Sequence, residues 1–234
     1  MAPDLEEIRK EFMRFAPAYA QEEAEEALGK IIELQEQGLV RSGLYYLVLV
    51  DVVGSTAYMA EHGNSAASQR IEYFVTSTLN AIGQTTLTNN AIFLKEIGDA
   101  VLLIFQCFPD ILRWQVQLEA YLALFGGQDL AHRIGIRTCF HVGDVILRGV
   151  NPVALAVSQL FKFEKSVAEG DIVLSEPAYY AAWPTLARAY HGFEPKDEVE
   201  LDGYPSPVTL YRLRRESVLD LGQFVEETSL FDSD

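Results

Sequence analysis

The chain has 234 residues, 49% of them hydrophobic and 22% charged, and its 34 acidic side chains outnumber its 18 basic ones to give a net charge of −16. That length is enough for one sizeable core, and the negative charge disfavours nucleic acid polymers and membrane surfaces as direct partners. The N-terminus is charged and no apolar run reaches the roughly 18 residues of a membrane span, so we expect a soluble, cytoplasmic protein. Cys107 and Cys139 supply neither a disulfide framework nor a zinc-ligand spacing.

In chain order, the first predicted element is a helix over residues 4–37, where acidic residues crowd the first turns and apolar residues recur at helical spacing. It defines an N-terminal helical arm, residues 1–40, which either packs on its own domain or serves as a dimerising or regulatory arm. An acidic tail, residues 216–234, ends the chain.

Between these segments, residues 41–215 alternate between strand and helix patterns and form the predicted catalytic domain. The predicted elements are a strand at 44–50, a helix at 65–86, a hairpin turning at Gly98-Asp99, a helix at 109–126, one or two strands in 132–147, a helix at 152–168, a strand and short helix in 170–182, and a strand pair in 199–215. Their order predicts an α+β sandwich, with helices packed on one mixed sheet.

Two aspartates interrupt these apolar patterns. Asp51 ends the run "YYLVLVDVVGST" (45–56), and Asp99 lies inside "FLKEIGDAVLLIF" (93–105). Taken singly, a carboxylate at the end of a strand is usually solvated or caps the backbone. If adjacent strand ends bring them together, their repulsion requires a proton or a cation, and hard oxygen ligands with open positions favour Mg²⁺ or Mn²⁺ bridging phosphates.

As an ordered series these segments resemble the class III nucleotidyl cyclase catalytic domain. The resemblance runs from Tyr45 to Arg214 and includes "HVGDVIL" (141–147), "EGDIVLSEPAYY" (169–180) and "VELDGYPSPVTLYRL" (199–213). It implies a ferredoxin-like core, a head-to-tail homodimer with active sites at the interface, and conversion of a nucleoside triphosphate to a 3′,5′-cyclic monophosphate and pyrophosphate. Asp51 and Asp99 match the family's metal-binding aspartates, which implies two Mn²⁺ or Mg²⁺ ions in each site.

The resemblance also assigns residues that the partner chain would supply. Lys95 matches the base-reading lysine, and Asn151 occupies the position of its acidic or threonine partner. Ser158 replaces the catalytic asparagine and Lys162 the transition-state arginine; a lysine keeps the charge but lacks the bidentate fork. Without the resemblance, Lys162 belongs to the solvated charged segment "FKFEK" (161–165).

The phosphates would lie on the backbone amides after the first strand, where Gly54 allows a close turn. These amides belong to Val52, Val53, Gly54, Ser55 and Thr56. A phosphate-binding lysine of many cyclases corresponds to Asp202, so that contact is either lost or supplied by Arg148 or Lys165.

These departures favour a changed substrate. A stand-alone chain with a helical arm, "DVVGST" (51–56) and the helix "VSQLFKFEK" (157–165) resembles the pyrimidine cyclases of bacterial Pycsar anti-phage systems. The expected product is then cyclic UMP or cyclic CMP, which acts on a separate effector protein. Two alternatives stay open: an adenylyl cyclase that makes cyclic AMP, and a degenerate module that binds nucleotide without turnover.

Overall fold

The computed structural model describes residues 41–84, 91–124, 133–148, 151–153, 155–189, 193–200 and 207–213. The predicted N-terminal arm (1–40) and acidic tail (216–234) lie outside these ranges and stay predictions. Within these ranges, no helix is both long and apolar enough to span a membrane.

The described chain alternates between strands and helices throughout. The strands are β1 (Arg41–Val52), β2 (Ala91–Ile97), β3 (Ala100–Phe105), β4 (Ile136–Arg148), β5 (Asn151–Val153), β6 (Ile172–Ser175), β7 (Phe193–Val199) and β8 (Val208–Leu213). The helices are α1 (Ser55–Gln84), α2 (Phe108–Leu124), α3 (Leu155–Glu164) and α4 (Glu176–Ala189).

One mixed sheet organises these elements, in the order β2-β3-β1-β4-β6-β8-β7, with β5 paired to the end of β4. The β4–β6 pair is parallel, and the other pairs in the described ranges are antiparallel. The first six elements follow the order β1-α1-β2-β3-α2-β4 with strands arranged β2-β3-β1-β4, which is the ferredoxin-like arrangement. The predicted α+β fold is therefore confirmed.

The central strand β1 separates two apolar cores, because successive side chains of a strand point to opposite faces of the sheet. Val48 and Val50 belong to the core that includes residues of α1 and α2. Leu47 and Leu49 belong to the core that includes residues of α3. Asp51 continues this second series and therefore lies on the α3 face, at the end of the strand.

Two helices begin elsewhere than the sequence predicted. α1 begins at Ser55 rather than residue 65 and contains a kink at Gly63, where φ is 85° and ψ is 168°. The predicted helix 152–168 begins only at Leu155, because Pro152 lies in the short strand β5, opposite Leu147. An Asn-Pro pair fits a helix start, but it also fits an edge strand, where the missing N–H of proline is tolerated.

Close packing between β4 and α3 sets the position of α3 on the sheet. We expect Gly143→Ala to disturb this packing. A methyl group on Gly143 would overlap the side chain of Ala156, so α3 would have to move. We expect a loss of about 1–3 kcal/mol in the free energy of unfolding, measured by urea titration.

Gly135→Ala is the matched control, because its methyl group would meet only the flexible side chain of Glu169. Equal losses in the two variants would show that the contact between Gly143 and Ala156 does not fix the position of α3.

Candidate active site

A cavity of about 550 Å³ opens where the end of β1, the β2–β3 turn, the start of β4 and the end of α3 meet. Its size is typical of small-molecule sites. Its wall contains three carboxylates, one guanidinium, the first residues of α1 and several apolar side chains. The lining residues are Leu49, Asp51, Val52, Gly54, Ser55, Thr56, Ala57, Ile97, Asp99, Ala100, Arg137, Phe161 and Glu164.

The structure brings the two predicted aspartates together. Asp51 pairs with Ala100 of β3, the residue directly after Asp99. The N–H of Val52 donates to the carbonyl of Asp99 over 3.1 Å, which ties the β2–β3 turn to the end of β1. Gly98 has φ 67°, as the first central residue of a type II′ hairpin requires, so this tight turn presents Asp99 beside Asp51.

An arginine holds the more buried of these aspartates. Arg137 of β4 is the cross-strand neighbour of Asp51. Its Nε donates to Oδ2 of the carboxylate over 2.9 Å, and its Nη2 forms an ion pair with the same oxygen over 2.8 Å. Nη2 also forms an ion pair with Glu164 at the end of α3, and Nη1 donates to the carbonyl of Val167 over 3.4 Å. Arg137 therefore links the strand that carries Asp51 to the end of α3.

Burial sets the protonation of Asp51. It raises the pKa of Asp51 from 3.8 to about 6, and repulsion from the carboxylates of Asp99 and Glu164 adds to the rise. The hydrogen bonds and charge of Arg137 act in the opposite direction but do not outweigh burial. The surroundings of Asp51 therefore disfavour its ionised form, and a further cation beside the carboxylate would stabilise that form.

Hydrogen bonds to backbone carbonyls anchor the turn after β1. The amide of Val53 donates to the carbonyl of Gly135 over 2.9 Å, and the hydroxyl of Ser55 donates to the carbonyl of Val52 over 3.0 Å. The amides of Val52 and Val53 are therefore engaged with backbone carbonyls. The predicted phosphate-binding role is left to the amides of Gly54, Ser55 and Thr56, where the first turn of α1 has N–H groups without intrahelical acceptors.

A buried arginine, Arg70, donates hydrogen bonds that hold the turn after β1 in place. Arg70, 5% exposed, donates from Nη2 to the carbonyls of Val53 and Arg133 over 3.4 and 3.1 Å. Its guanidinium lies 4.6 Å from the ring centre of Tyr58, in the first turns of α1. Arg70 thus fixes the start of α1 relative to the start of β4 and adds positive charge beneath the turn.

The donor set fits a divalent metal bound jointly with a substrate. Asp51 and Asp99 offer hard oxygen ligands in a wall with net negative charge. Among the described residues, no three histidine, cysteine or acidic side chains are arranged to hold a metal ion by themselves. Mg²⁺ commonly binds one or two carboxylates and completes its shell with phosphate oxygens and water, so a pair of aspartates suffices.

Ser158 and Lys162 lie on a different face of α3 from the residues that line the cavity. Ser158 is exposed and Lys162 is half-buried, and neither lines the cavity, whereas Phe161 and Glu164 do. Lys162 also lies in the last turn of α3, where a cation is stabilised by the helix dipole. Within one chain, the structure does not bring these two predicted residues to Asp51.

The structure does not bring the two predicted base-contacting residues together beside Asp51. Lys95 is exposed on the edge strand β2, two residues before Ile97, which does line the cavity. Asn151 pairs with Arg148, eleven residues further along β4 than Arg137. At about 3.3 Å per residue, Asn151 is at the opposite end of β4, about 36 Å along the strand. The register does not place Asn151 beside Lys95 or Asp51.

Sequence reasoning missed Arg137 and Glu164. Arg148 and Lys165 were considered as phosphate-binding cations; among the side chains that the structure describes, Arg137 is the cation that lines the cavity. The available signal was an arginine in the apolar strand pattern "IRTCF" (136–140).

A scan against protein-family models and a search of curated proteins each gave no match. The solved structures give strong matches to cyclase domains. The adenylyl cyclase CyaB from P. aeruginosa has a TM-score of 0.62 at 13% identity, covering 76% of this chain and 98% of the other. The guanylate cyclase domain of RhGC from Catenaria anguillulae, in complex with GTP, has a TM-score of 0.55 at 16% identity, covering 74% and 97%.

A third neighbour, a guanylyl cyclase domain of the RhoGC fusion protein from the aquatic fungus Blastocladiella emersonii in an unusual dimer, has a TM-score of 0.56 at 16% identity, covering 74% and 97%. These neighbours therefore include a nucleotide complex and a dimer. At these identities the matches show that this chain has the fold of adenylyl and guanylyl cyclase catalytic domains.

The raised pKa of Asp51 predicts a stability effect in metal-free protein. Its contribution to stability is fully present below pH 3.8 and is lost as the pH rises through about 6, because the folded state disfavours the ionised carboxyl. We therefore expect Asp51→Asn to be more stable than the wild type above pH 6, by at most about 3 kcal/mol. Urea unfolding in EDTA between pH 4 and 8 measures the difference.

Asp171→Asn is the control, because Asp171 is buried and paired with Arg212 outside the cavity. Its stability relative to the wild type should not rise above pH 6 as that of Asp51→Asn does, because Asp171 lies outside the cavity that contains Asp99 and Glu164. A stability difference for Asp51→Asn that does not change with pH would contradict the role of burial at this site.

Proposed function

We propose that the protein is a nucleotidyl cyclase that converts a nucleoside triphosphate to a 3′,5′-cyclic monophosphate and pyrophosphate. The observation that carries the proposal is the meeting of Asp51 and Asp99 in a cavity that also contains the start of α1. The wall that contains Asp51 and Asp99 attracts a divalent cation, and the wall that contains the start of α1 attracts an anion. A metal-bound triphosphate satisfies both, and the cyclase-like fold is consistent with this substrate class.

The reaction joins the ribose 3′-oxygen to the α-phosphorus, breaks the bond from that phosphorus to the pyrophosphate oxygen, and releases the 3′-hydroxyl proton. Asp51 and Asp99 would hold two Mg²⁺ or Mn²⁺ ions, which when bound neutralise phosphate charge and lower the pKa of the 3′-hydroxyl. The amides of Gly54, Ser55 and Thr56 would orient the triphosphate at the helix N-terminus. Apolar neighbours such as Leu49 and Phe161 would exclude water from the reacting atoms.

The cation that acts at the α-phosphate would come from a second chain. Lys162 lies on the face of α3 that does not line its own cavity, so a head-to-tail homodimer is the arrangement in which it could serve the partner's site. Ser158 lies one helical turn before Lys162 and would accompany it, as the spacing i, i+4 places both on one face. In the same arrangement the partner's Lys95 and Asn151 would contact the base.

We propose a pyrimidine as the base, with UTP or CTP as the substrate. An asparagine offers both donors and an acceptor, so Asn151 can pair with a uracil or cytosine edge. The likeness to Pycsar cyclases supports a role in anti-phage defence, in which cyclic UMP or cyclic CMP acts on a separate effector. An adenylyl cyclase is the alternative that the fold accommodates equally, since CyaB shares it.

A nucleotide panel tests the reaction. Purified protein is incubated with ATP, GTP, CTP or UTP and Mn²⁺, and the products are resolved by chromatography. We expect one cyclic pyrimidine monophosphate, and Asp51→Asn and Asp99→Asn should each lower its formation by about 10³-fold or more because each removes a metal ligand. Asp171→Asn is the folding control.

The panel separates the competing functions. Formation of cyclic AMP would overturn the pyrimidine assignment but would support the proposal that the protein is a nucleotidyl cyclase. Full turnover by Asp51→Asn would contradict two-metal catalysis. Metal-dependent nucleotide binding without any product would identify a binding module rather than an enzyme.

Mixing two inactive variants tests whether Lys162 acts across the dimer. Asp51→Asn chains keep Lys162, and Lys162→Ala chains keep Asp51, so their heterodimer contains one complete site if the lysine comes from the partner. Random pairing then restores about one quarter of wild-type activity, since half of the dimers are mixed and each has one intact site. If Lys162 acts within its own chain, the mixture stays as inactive as its components.

A further inference from the structure

A buried histidine of β4 contacts α3, the helix that carries Ser158 and Lys162. His141 is 4% exposed. Its Nε2 lies 3.1 Å from Oε1 of Gln159 on α3, and its Nδ1 lies 2.7 Å from Oγ of Ser175 at the end of β6. The ring of Phe163, also on α3, packs edge-on against the imidazole with 5.1 Å between ring centres. His141 therefore joins β4 and β6 to α3.

These contacts fix the proton positions of the imidazole. The amide oxygen of Gln159 only accepts hydrogen bonds, so Nε2 of His141 carries a proton and donates it. In the neutral ring, Nδ1 then accepts from the hydroxyl of Ser175, whose oxygen accepts from the amide of Ala178 over 3.4 Å. Burial lowers the pKa of His141 below its ordinary value of 6.5, although the hydrogen bond to Gln159 acts in the opposite direction. The side chains of Gln159, Phe163 and Ser175 that face the ring are uncharged, so the ring is neutral at pH 7.

Gln159 lies at one edge of the buried stripe of α3. Because successive residues of a helix are about 100° apart, Gln159 flanks this stripe on one side and Glu164 flanks it on the other. Glu164 is ion-paired with Arg137 of β4. The helix is thus attached to β4 at both edges of the stripe. The stripe consists of residues that are each at most 4% exposed: Ala156, Leu160 and Phe163.

Lys162 lies beyond the edge that Gln159 marks. The helical spacing places it about 60° from Gln159, on the side away from the stripe, and places Ser158 about 100° from Gln159 on that side. At the outer radius of a helix, about 5–6 Å, a rotation of about 20° moves a side chain by about 2 Å. A misplacement of about 1 Å can reduce a reaction rate about 10²-fold. The attachment at Gln159 is therefore the one that controls where Ser158 and Lys162 lie.

We propose that His141 is a positioning residue: by donating to Gln159 it fixes the rotation of α3, and with it the placement of Ser158 and Lys162 at the partner's site. The role rests on the proposed function, in which Lys162 acts at the α-phosphate of the substrate that the partner chain binds. His141 itself contacts neither substrate nor metal.

Removing the acceptor at residue 159 tests the positioning role. Gln159→Met keeps the size of the side chain but cannot accept from Nε2, whereas Gln159→Glu keeps an acceptor oxygen. We expect Gln159→Met to lower kcat by about 10-fold or more with little change in KM, because Lys162 acts in the transition state. Gln159→Glu should retain most of kcat. Ile111→Val is the stability control, because it weakens the core on the opposite face of the sheet from α3.

The outcomes separate this inference from the proposed function. A wild-type kcat for Gln159→Met, in a protein that turns over, would overturn the positioning role and leave the cyclase proposal intact. An equal fall in kcat for Ile111→Val would show that lost stability reduces the rate, which also overturns it. If the wild type forms no cyclic product, the proposed function fails and the positioning role fails with it.

Nitrogen NMR of His141 tests the contact without any measurement of activity. The ¹⁵N shifts, assigned by their loss in His141→Gln, should show the tautomer with the proton on Nε2. Gln159→Glu should raise the pKa of His141, because a carboxylate beside Nε2 favours the imidazolium. An equal pKa in the wild type and Gln159→Glu would show that the two side chains do not meet in solution, and the proposal would be wrong.

Mixed dimers test which face of α3 is positioned. When Asp51→Asn chains pair with Lys162→Ala chains, the complete site takes its lysine from the Asp51→Asn chain. Adding Gln159→Met to that chain should lower the restored activity by about 10-fold or more. Adding Gln159→Met to the Lys162→Ala chain should lower it less, because that α3 supplies no lysine to the complete site. Equal losses in the two arrangements would contradict a role that acts through Lys162.

Discussion

The cavity depends on one constraint: a carboxylate at the end of a buried central strand needs a cation. β1 lies between β3 and β4, so its final residues are enclosed by strands on both sides. Asp51 stands where the apolar series of Leu47 and Leu49 would place another hydrophobic side chain. The register supplies Arg137 directly opposite, and Asp99 arrives from the other neighbouring strand. The requirement for cations is thus built into the pairing of three strands.

The end of the cavity at the start of α1 favours a negative charge. The start of α1 carries N–H groups that have no intrahelical acceptors, and Arg70 lies buried beneath the preceding turn. Backbone bonds from Val52 and Val53 tie that turn to the strands that carry Asp99 and Arg137. The backbone therefore holds the wall that contains Asp51 and Asp99 in a fixed relation to the start of α1. A metal–polyphosphate ligand carries both charges in one molecule.

Local patterns were enough to predict the α+β fold, because apolar runs identified the strands and the Gly98-Asp99 pair identified a hairpin turn. The meeting of Asp51 with Asp99 was implied by the resemblance to cyclases, in which both match metal-binding aspartates. Arg137 was missed because its role depends on the register between two strands 86 residues apart in sequence, which no local pattern encodes. The start of α3 was misplaced because Pro152 fits a first helical turn as well as an edge strand.

The remaining predicted residues share one property: a single chain does not bring them to the cavity. α3 presents Phe161 and Glu164 to its own cavity, whereas Lys162 lies on another face. On the proposed function, this one short helix would serve two sites, one through each face. On the proposed function, a single chain would hold metal and polyphosphate but lack the cation for the transition state. Turnover would then require the assembly of two chains.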